Sequence, residues 1–317
     1  MMKKINDIIG DAKTIGIAGH LRPDGDCMGS CMSLYNYLKK NRPDLDVRVF
    51  LEFVDKKFNI IENTDQIITT GYDGTKFDLF ISLDTASLDR LGLNLPFYEN
   101  AKRTACIDHH ASNDGYADYN YILPNASSAC EVLYDLLDVS LFDKSIAEPM
   151  YTGIAHDSGV FRFQSTTSKT MNVAGKMLDF GINANKILEE TYYKKTYAQS
   201  QVAGRLQLES VRFMDNRCIF AYATTKLMDF YGVTTKDLDS VVAQLRNIEG
   251  IEVAIFMYQI GEMKYKVSMR SQDLVDVSVI ASYFGGGGHV RAAGFDTVGD
   301  VHDIINNISE QIEKQMS

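Results

Sequence analysis

Three short apolar runs near the start of this chain each stop at an acid or a histidine. Residues 14–19 lead into His20-Leu21-Arg22-Pro23-Asp24-Gly25-Asp26, residues 77–83 into Asp84, and residues 104–107 into Asp108-His109-His110. Runs of this length between amphipathic stretches predict strands alternating with helices. Residues 47–51 read as a further strand, and residues 28–40, 129–137, 145–154 and 169–180 as helices. The pattern implies an α/β fold with a mainly parallel sheet covered by helices on both faces. In such a sheet, ligands bind in the crevice beyond the carboxyl ends of the strands. Seven Asp and His side chains are therefore expected at one sheet edge, and His156-Asp157-Ser158-Gly159 joins them from the end of a helix.

Capping accounts for part of this pattern. Aspartate is common at helix N-caps and in turns, so Asp26 could cap the helix that follows and Asp24-Gly25 could be a turn. Capping does not explain why His20, Asp84 and Asp108-His109-His110 recur at the same topological place.

Carboxylates mixed with imidazoles, without thiolates, suit divalent ions: Mn²⁺ first, then Co²⁺, Zn²⁺ or Mg²⁺. Six candidate ligands exceed what one open catalytic ion needs. Two ions about 3.5–4 Å apart, sharing a carboxylate, would use them all. Such a pair acidifies water, polarises a phosphoryl oxygen and stabilises the leaving oxygen, which is the chemistry of phosphate-ester hydrolysis. Cys27 and Cys31, four residues apart, read as packing residues, since free cysteine behaves as a small hydrophobe. His156 reads as a flanking structural histidine and His302 as a surface residue.

At 317 residues the chain is long enough for two domains. The expected division is 1–185, a linker helix over 186–210 and a smaller α/β domain over 211–317. In the last domain we expect a strand at 218–223, a helix at 235–246 and a hairpin of 251–260 with 264–270. A helix at 275–284, a four-glycine run and a helix at 301–315 follow. A net charge of −10 and the lack of any Lys/Arg block argue against a protein that tracks long nucleic acid. Any nucleic-acid substrate should be short. Five scattered cysteines point to reduced thiols in a cytoplasm, and neither a signal peptide nor an apolar membrane-spanning stretch is expected.

The glycine run Gly285-Gly286-Gly287-Gly288 precedes His289 and Arg291. Successive backbone N–H groups of Gly286, Gly287 and Gly288 could form an anion nest, although a flexible hinge would look similar. The two adjacent cations favour phosphate binding, and Arg270 at the end of the hairpin is a third cation for the same task. The run is neither a Walker A loop nor a dinucleotide fingerprint.

Taken in order, His20-x-x-x-Asp24-x-Asp26, Asp84, Asp108-His109-His110, Asp157-Ser158-Gly159 and Gly285–Gly288-His289 resemble the DHH–DHHA1 phosphoesterases, with Ser158 standing where Thr is frequent. That resemblance implies that His20 and Asp24 hold one Mn²⁺ and that Asp26, His109 and Asp157 hold another. Asp84 would bridge them. Asp108 would orient the His109 ring, and His110 would face the phosphate as donor or acid. The glycine loop, His289 and Arg270 would grip the substrate's terminal phosphate or base. The implied activity is hydrolysis of very short 5′-phosphorylated oligonucleotides to nucleoside 5′-monophosphates, with pAp as a further substrate. A cyclic-dinucleotide phosphodiesterase and a catalytically silent nucleotide- or RNA-binding protein are the alternatives. The resemblance alone suggests a homodimer.

Overall fold

The computed structural model describes residues 4–238 and 240–316. The chain divides into two compact units, Met1–Lys194 and Lys195–Ser317.

In the first unit the elements are α1 (Ile5–Ile9), β1 (Thr14–Ala18), α2 (Gly25–Asn41), β2 (Asp46–Phe50), β3 (Leu79–Leu83), α3 (Leu95–Glu99), β4 (Thr104–Asp108), β5 (Tyr119–Ile122), α4 (Ala129–Leu136), α5 (Lys144–Asp157), α6 (Ser168–Leu178) and α7 (Ala184–Leu188). Its strands form one parallel sheet in the order β2-β1-β3-β4-β5. Every residue of β3 is buried, as expected for a central parallel strand covered on both faces. The order reverses between β1 and β3, where Ile15 pairs with Leu79 and Ala18 with Ser82. A reversal of this kind opens a crevice at the strand ends. β5 was not anticipated, because the polar Tyr119-Asn120-Tyr121 lacks the apolar run of its neighbours.

The long helix α2 is buried from Gly25 to Leu38, which fits a helix enclosed by neighbours rather than lying on the surface. It crosses α5 at a close approach. A Cβ on Gly29 would lie 2.5 Å from Pro149 O, and one on Gly153 would lie 2.7 Å from Asp26 Oδ1. Glycine at both positions lets the start of α2 and the end of α5 bring their acidic side chains together.

The second unit holds α8 (Tyr197–Leu208), β6 (Val211–Phe213), β7 (Cys218–Ala223), α9 (Thr225–Tyr231), α10 (Val241–Arg246), β8 (Val253–Gly261), β9 (Lys264–Ser271), α11 (Val277–Tyr283), β10 (Gly287–His289), β11 (Ala292–Val298) and α12 (Val301–Met316). Its mixed sheet runs β10-β11-β9-β8-β7-β6, with β7 and β8 parallel and the other pairs antiparallel. Side chains alternate across each strand, so Ile255, Val267 and Phe295 pack with Ile280, Ile304 and Ile308 on one face. Ala254 and Phe256 face the other way, in a second cluster with Val202, Leu206 and Leu245.

Three local expectations differ from the structure. Residues 186–210 are not one helix: α7 runs into a π-turn at Glu189–Tyr193, and Lys194 is extended. α8 then starts afresh with Thr196 as its cap, boxed with Gln199. Residues 235–246 are split between a 3₁₀ turn at Thr235–Leu238 and α10, and Asp239 lies outside the described residues. The glycine run is not a loop. Gly285 (φ 79°) follows α11, and Gly287 opens the edge strand β10, paired antiparallel with β11. Among the described residues, no helix is long and apolar enough to cross a membrane.

Candidate metal centre

The carboxyl ends of β1, β3 and β4 and the facing ends of α2 and α5 converge. Among the described residues, three groups have potential ligand atoms within 4.8 Å of one another: His20, Asp24 and Asp84; Asp26, His109 and Asp157; and Asp84, His109 and His110. Asp84 belongs to the first and third, and His109 to the second and third. The six residues expected as ligands thus form one continuous cluster, with His110 at its margin.

The backbone aims these side chains. His20 Nδ1 lies 2.7 Å from Leu21 O, and His109 Nδ1 lies 3.3 Å from Ala126 O. A carbonyl only accepts, so Nδ1 donates in both bonds, and the lone pair of each neutral ring sits on Nε2. His20 Nε2 points to Asp84 Oδ2 (3.4 Å) and Asp24 Oδ2 (3.7 Å). His109 Nε2 points to Asp157 Oδ2 (3.3 Å), Asp84 Oδ1 (3.5 Å) and Asp26 Oδ2 (3.9 Å). Asp84 is only 3% exposed, and its backbone is left-handed at φ 52°.

Capping and clustering coexist here. Asp24 is the N-cap of α2, with Oδ1 accepting from Asp26 N and Cys27 N, while its Oδ2 faces His20. Asp26 caps a different helix: it accepts from Ala129 N and Cys130 N at the start of α4. These donors lie more than 100 residues away in sequence, which is why Asp26 could not be assigned to them in advance.

One expected role is corrected. Asp108 does not orient His109: its Oδ1 accepts from His110 Nδ1 at 2.8 Å, and its Oδ2 accepts from Asn113 Nδ2 at 2.6 Å. Alternation along an extended chain puts residues 108 and 110 on one side and residue 109 on the other. His156 lies outside all three groups. Its Nε2 meets Thr191 Oγ1 at 2.9 Å, and its ring occupies the space a side chain at Gly25 would need. Cys27 and Cys31 are buried and belong to the core, as expected of packing residues.

The electrostatics suit cations. Burial, and then the charge of Asp84, push Asp26 up to about 7. Burial and Asp26 likewise raise Asp157 well above the usual carboxylate range. Burial opposes the charged form of His109, yet Asp84, Asp157 and Asp26 together raise it to about 10. Asp84 Oδ1 is buried without a hydrogen-bond partner, an uncommon state for a carboxylate oxygen. Once an ion takes the place of the Nε2 proton the imidazoles are neutral, and the four carboxylates then carry −4, which two divalent ions would cancel. The donor set therefore fits two such ions.

In the second unit, His289 pairs with Ala292 and Ala292 with Arg270, so all three stand in one row on one sheet face. His289 is exposed, and Ala292 and Arg270 are half-buried. Arg291 is differently employed: its guanidinium donates to Val275 O (2.9 Å) and Asp273 O (2.6 Å). The glycines also have partners of their own. A Cβ on Gly286 would meet Gly294 O, and one on Gly288 would lie 2.5 Å from Ala292 O, whereas Gly287 has open space.

Comparison with known proteins agrees with this architecture. Residues 14–154 match the model of the DHH family N-terminal domain, and residues 217–315 match that of the DHHA1 domain. The chain is 26% identical over 286 residues to the bifunctional oligoribonuclease and PAP phosphatase NrnA of Bacillus subtilis, covering 89% of this chain and 88% of that one. It is 29% identical over 313 residues to the protein of the same name from Thermus thermophilus, covering 96% and 90%. The crystal structure of an exopolyphosphatase-related protein from Bacteroides fragilis superposes with a TM-score of 0.88 at 22% identity, covering 98% of this chain and 94% of that one. The sheet order, the convergence of ligands at its switch point and these two domain matches together make the chain a DHH/DHHA1 family protein.

Proposed function

We propose that this protein is a two-metal phosphoesterase that hydrolyses very short 5′-phosphorylated oligonucleotides to nucleoside 5′-monophosphates, and pAp to AMP. The observation that carries the reading is the single cluster in which Asp84 joins the His20–Asp24 group to His109 and its partners. His20 and Asp24 would hold one ion, Asp26, His109 and Asp157 the other, and Asp84 would be shared, with Mn²⁺ the preferred metal. Two divalent ions held there would lower the pKa of water and spread the negative charge of the phosphoryl group.

The chain's own residues supply the rest. His110 is fixed by its bond to Asp108. Burial opposes its charged form, but Asp108 raises its pKa above the usual imidazole value. A protonated His110 donates a hydrogen bond to a phosphate oxygen and gives its proton to the leaving oxygen. In the second unit, Arg270, His289 and the open backbone at Gly287 suit a phosphate or base of a nucleotide. The sequence relationship to proteins named as oligoribonucleases and PAP phosphatases supports this substrate class.

The test is hydrolysis of pAp, pGpG, cyclic di-AMP and a labelled 24-mer, each with Mn²⁺ and with EDTA. Metal-dependent release of 5′-mononucleotides from pGpG or pAp, with the 24-mer spared, is expected. Preference for the cyclic compound would reassign the substrate, and no turnover of any of them would refute the reading.

A further inference from the structure

Directly after Asp157 the backbone makes a turn that ordinary residues avoid. Gly159, Val160 and Phe161 have φ of 59°, 56° and 64°, and for β-branched Val160 that region is strained. Local bonds hold the turn. Val160 N donates to Ala155 O at 2.7 Å, and Arg162 N and Phe163 N both donate to Ser158 O at 3.0 Å. Phe161 N donates to Ser158 Oγ, also at 3.0 Å.

The turn carries two phenylalanines, two positions apart, in different surroundings. Phe161 packs inward on the core and against Tyr151, with ring centroids 6.2 Å apart. Phe163 is 43% exposed. The tip of its ring lies over Gly159, where a Cβ would stand 2.5 Å from it. Strained non-glycine residues persist where the surroundings over-determine them, and they concentrate at functional sites. Here the strain anchors one ring and holds the other, exposed, over Gly159, two residues after Asp157 in the chain.

We propose that Phe163 is a stacking platform for a nucleobase of the substrate whose phosphate is held at the Asp/His cluster. The proposal rests on the nucleotide-phosphoesterase reading above. A flat aromatic ring takes any base, because every base has a π face. That suits a short-oligonucleotide substrate, whichever base it presents.

The experiment uses the full chain with Mg²⁺ and a nonhydrolysable 5′-phosphorylated dinucleotide containing 2-aminopurine, whose fluorescence falls on stacking. Affinity is measured in parallel by calorimetry, with ribose 5-phosphate as a base-free ligand. Wild type should quench the probe. Phe163→Ala should abolish the quenching and bind the dinucleotide about 5- to 150-fold more weakly, with ribose 5-phosphate binding unchanged. Phe163→Trp should restore both signals. If wild type binds and quenches while Phe163→Ala does the same, the platform is refuted and the phosphoesterase reading stands. Equal weakening of both ligands would show a structural role and would also refute it. If wild type binds no nucleotide at all, both readings fall together.

Discussion

Asp84→Asn separates a metal centre from a merely acidic crevice. The asparagine keeps the shape of the side chain but replaces one oxygen and the charge. Asp84 has Oδ2 3.4 Å from His20 Nε2 and Oδ1 3.5 Å from His109 Nε2, and among the described residues it alone shares a ligand group with each of those two rings. An ion bound at a thousand times its Kd stabilises the folded state by about 4 kcal/mol. The first unit comprises Met1–Lys194, and for a unit of that size 1 kcal/mol moves the transition by about 2–4 °C. Mn²⁺ should therefore raise the wild-type transition by about 8–16 °C over EDTA. If the substitution weakens binding a thousandfold, the remaining gain is about 0.4 kcal/mol, or about 1–2 °C. Scanning calorimetry is the assay of choice, since the chain has no tryptophan. Comparing each protein with itself, with and without ion, cancels any effect of the substitution on the ion-free fold. All candidate ligands lie between His20 and Asp157, so the shift should belong to the first unit's transition alone. An undiminished shift in Asp84→Asn, or no shift in wild type with Mn²⁺, Mg²⁺, Co²⁺ or Zn²⁺, would refute the assignment.

Other substitutions probe separate parts of the structure. Gly286→Ala should destabilise the second unit by about 1–3 kcal/mol, because its Cβ collides with the neighbouring strand, and a lowered calorimetric transition would register it. Gly287→Ala has room and should leave that transition in place, so any loss of substrate affinity in it reports on ligand contact. Arg270→Ala should mainly raise KM. Arg291→Ala should instead lower stability, since its guanidinium serves two backbone carbonyls; a purely kinetic defect there would contradict its placement. Asp78 is held below the usual carboxylate range by Lys102 and by the N–H groups of Lys13 and Thr14. Its folded pKa is lowered, so its contribution is present above about pH 4 and is lost as pH falls toward the folded value. Asp78→Ala should cost about 1–3 kcal/mol at neutral pH and should flatten the acid limb of a stability–pH curve.

The outline of the site was legible because β1, β3 and β4 are nearly unbroken apolar runs, so each strand end could be located from the residue that interrupts it. Which residues then meet was not legible, since sheet order is absent from local pattern. His20 reaches Asp84 only because β1 lies beside β3, and Asp26 finds its N–H partners on a helix more than 100 residues away. The Asp108–His110 pairing is local and so is legible, because residues two apart on an extended segment share a side. The turn carrying Phe163 has no periodic signature at all, and only Gly159 marked it.

The glycine run shows where composition stops being informative. Four glycines mean that something approaches the backbone closely, but a ligand and a neighbouring strand leave the same trace in sequence. Register separates them. Gly288 faces Ala293 and Ala292 across the ladder, and Gly286 abuts Gly294, so those two glycines are consumed by the fold. Gly287 alone of the three has open space around its Cβ position, and it lies on the same strand as His289, on the same face. The proposed role in binding phosphate or base therefore narrows to Gly287, His289 and Arg270, while strand packing explains Gly286 and Gly288 and a left-handed backbone (φ 79°) explains Gly285.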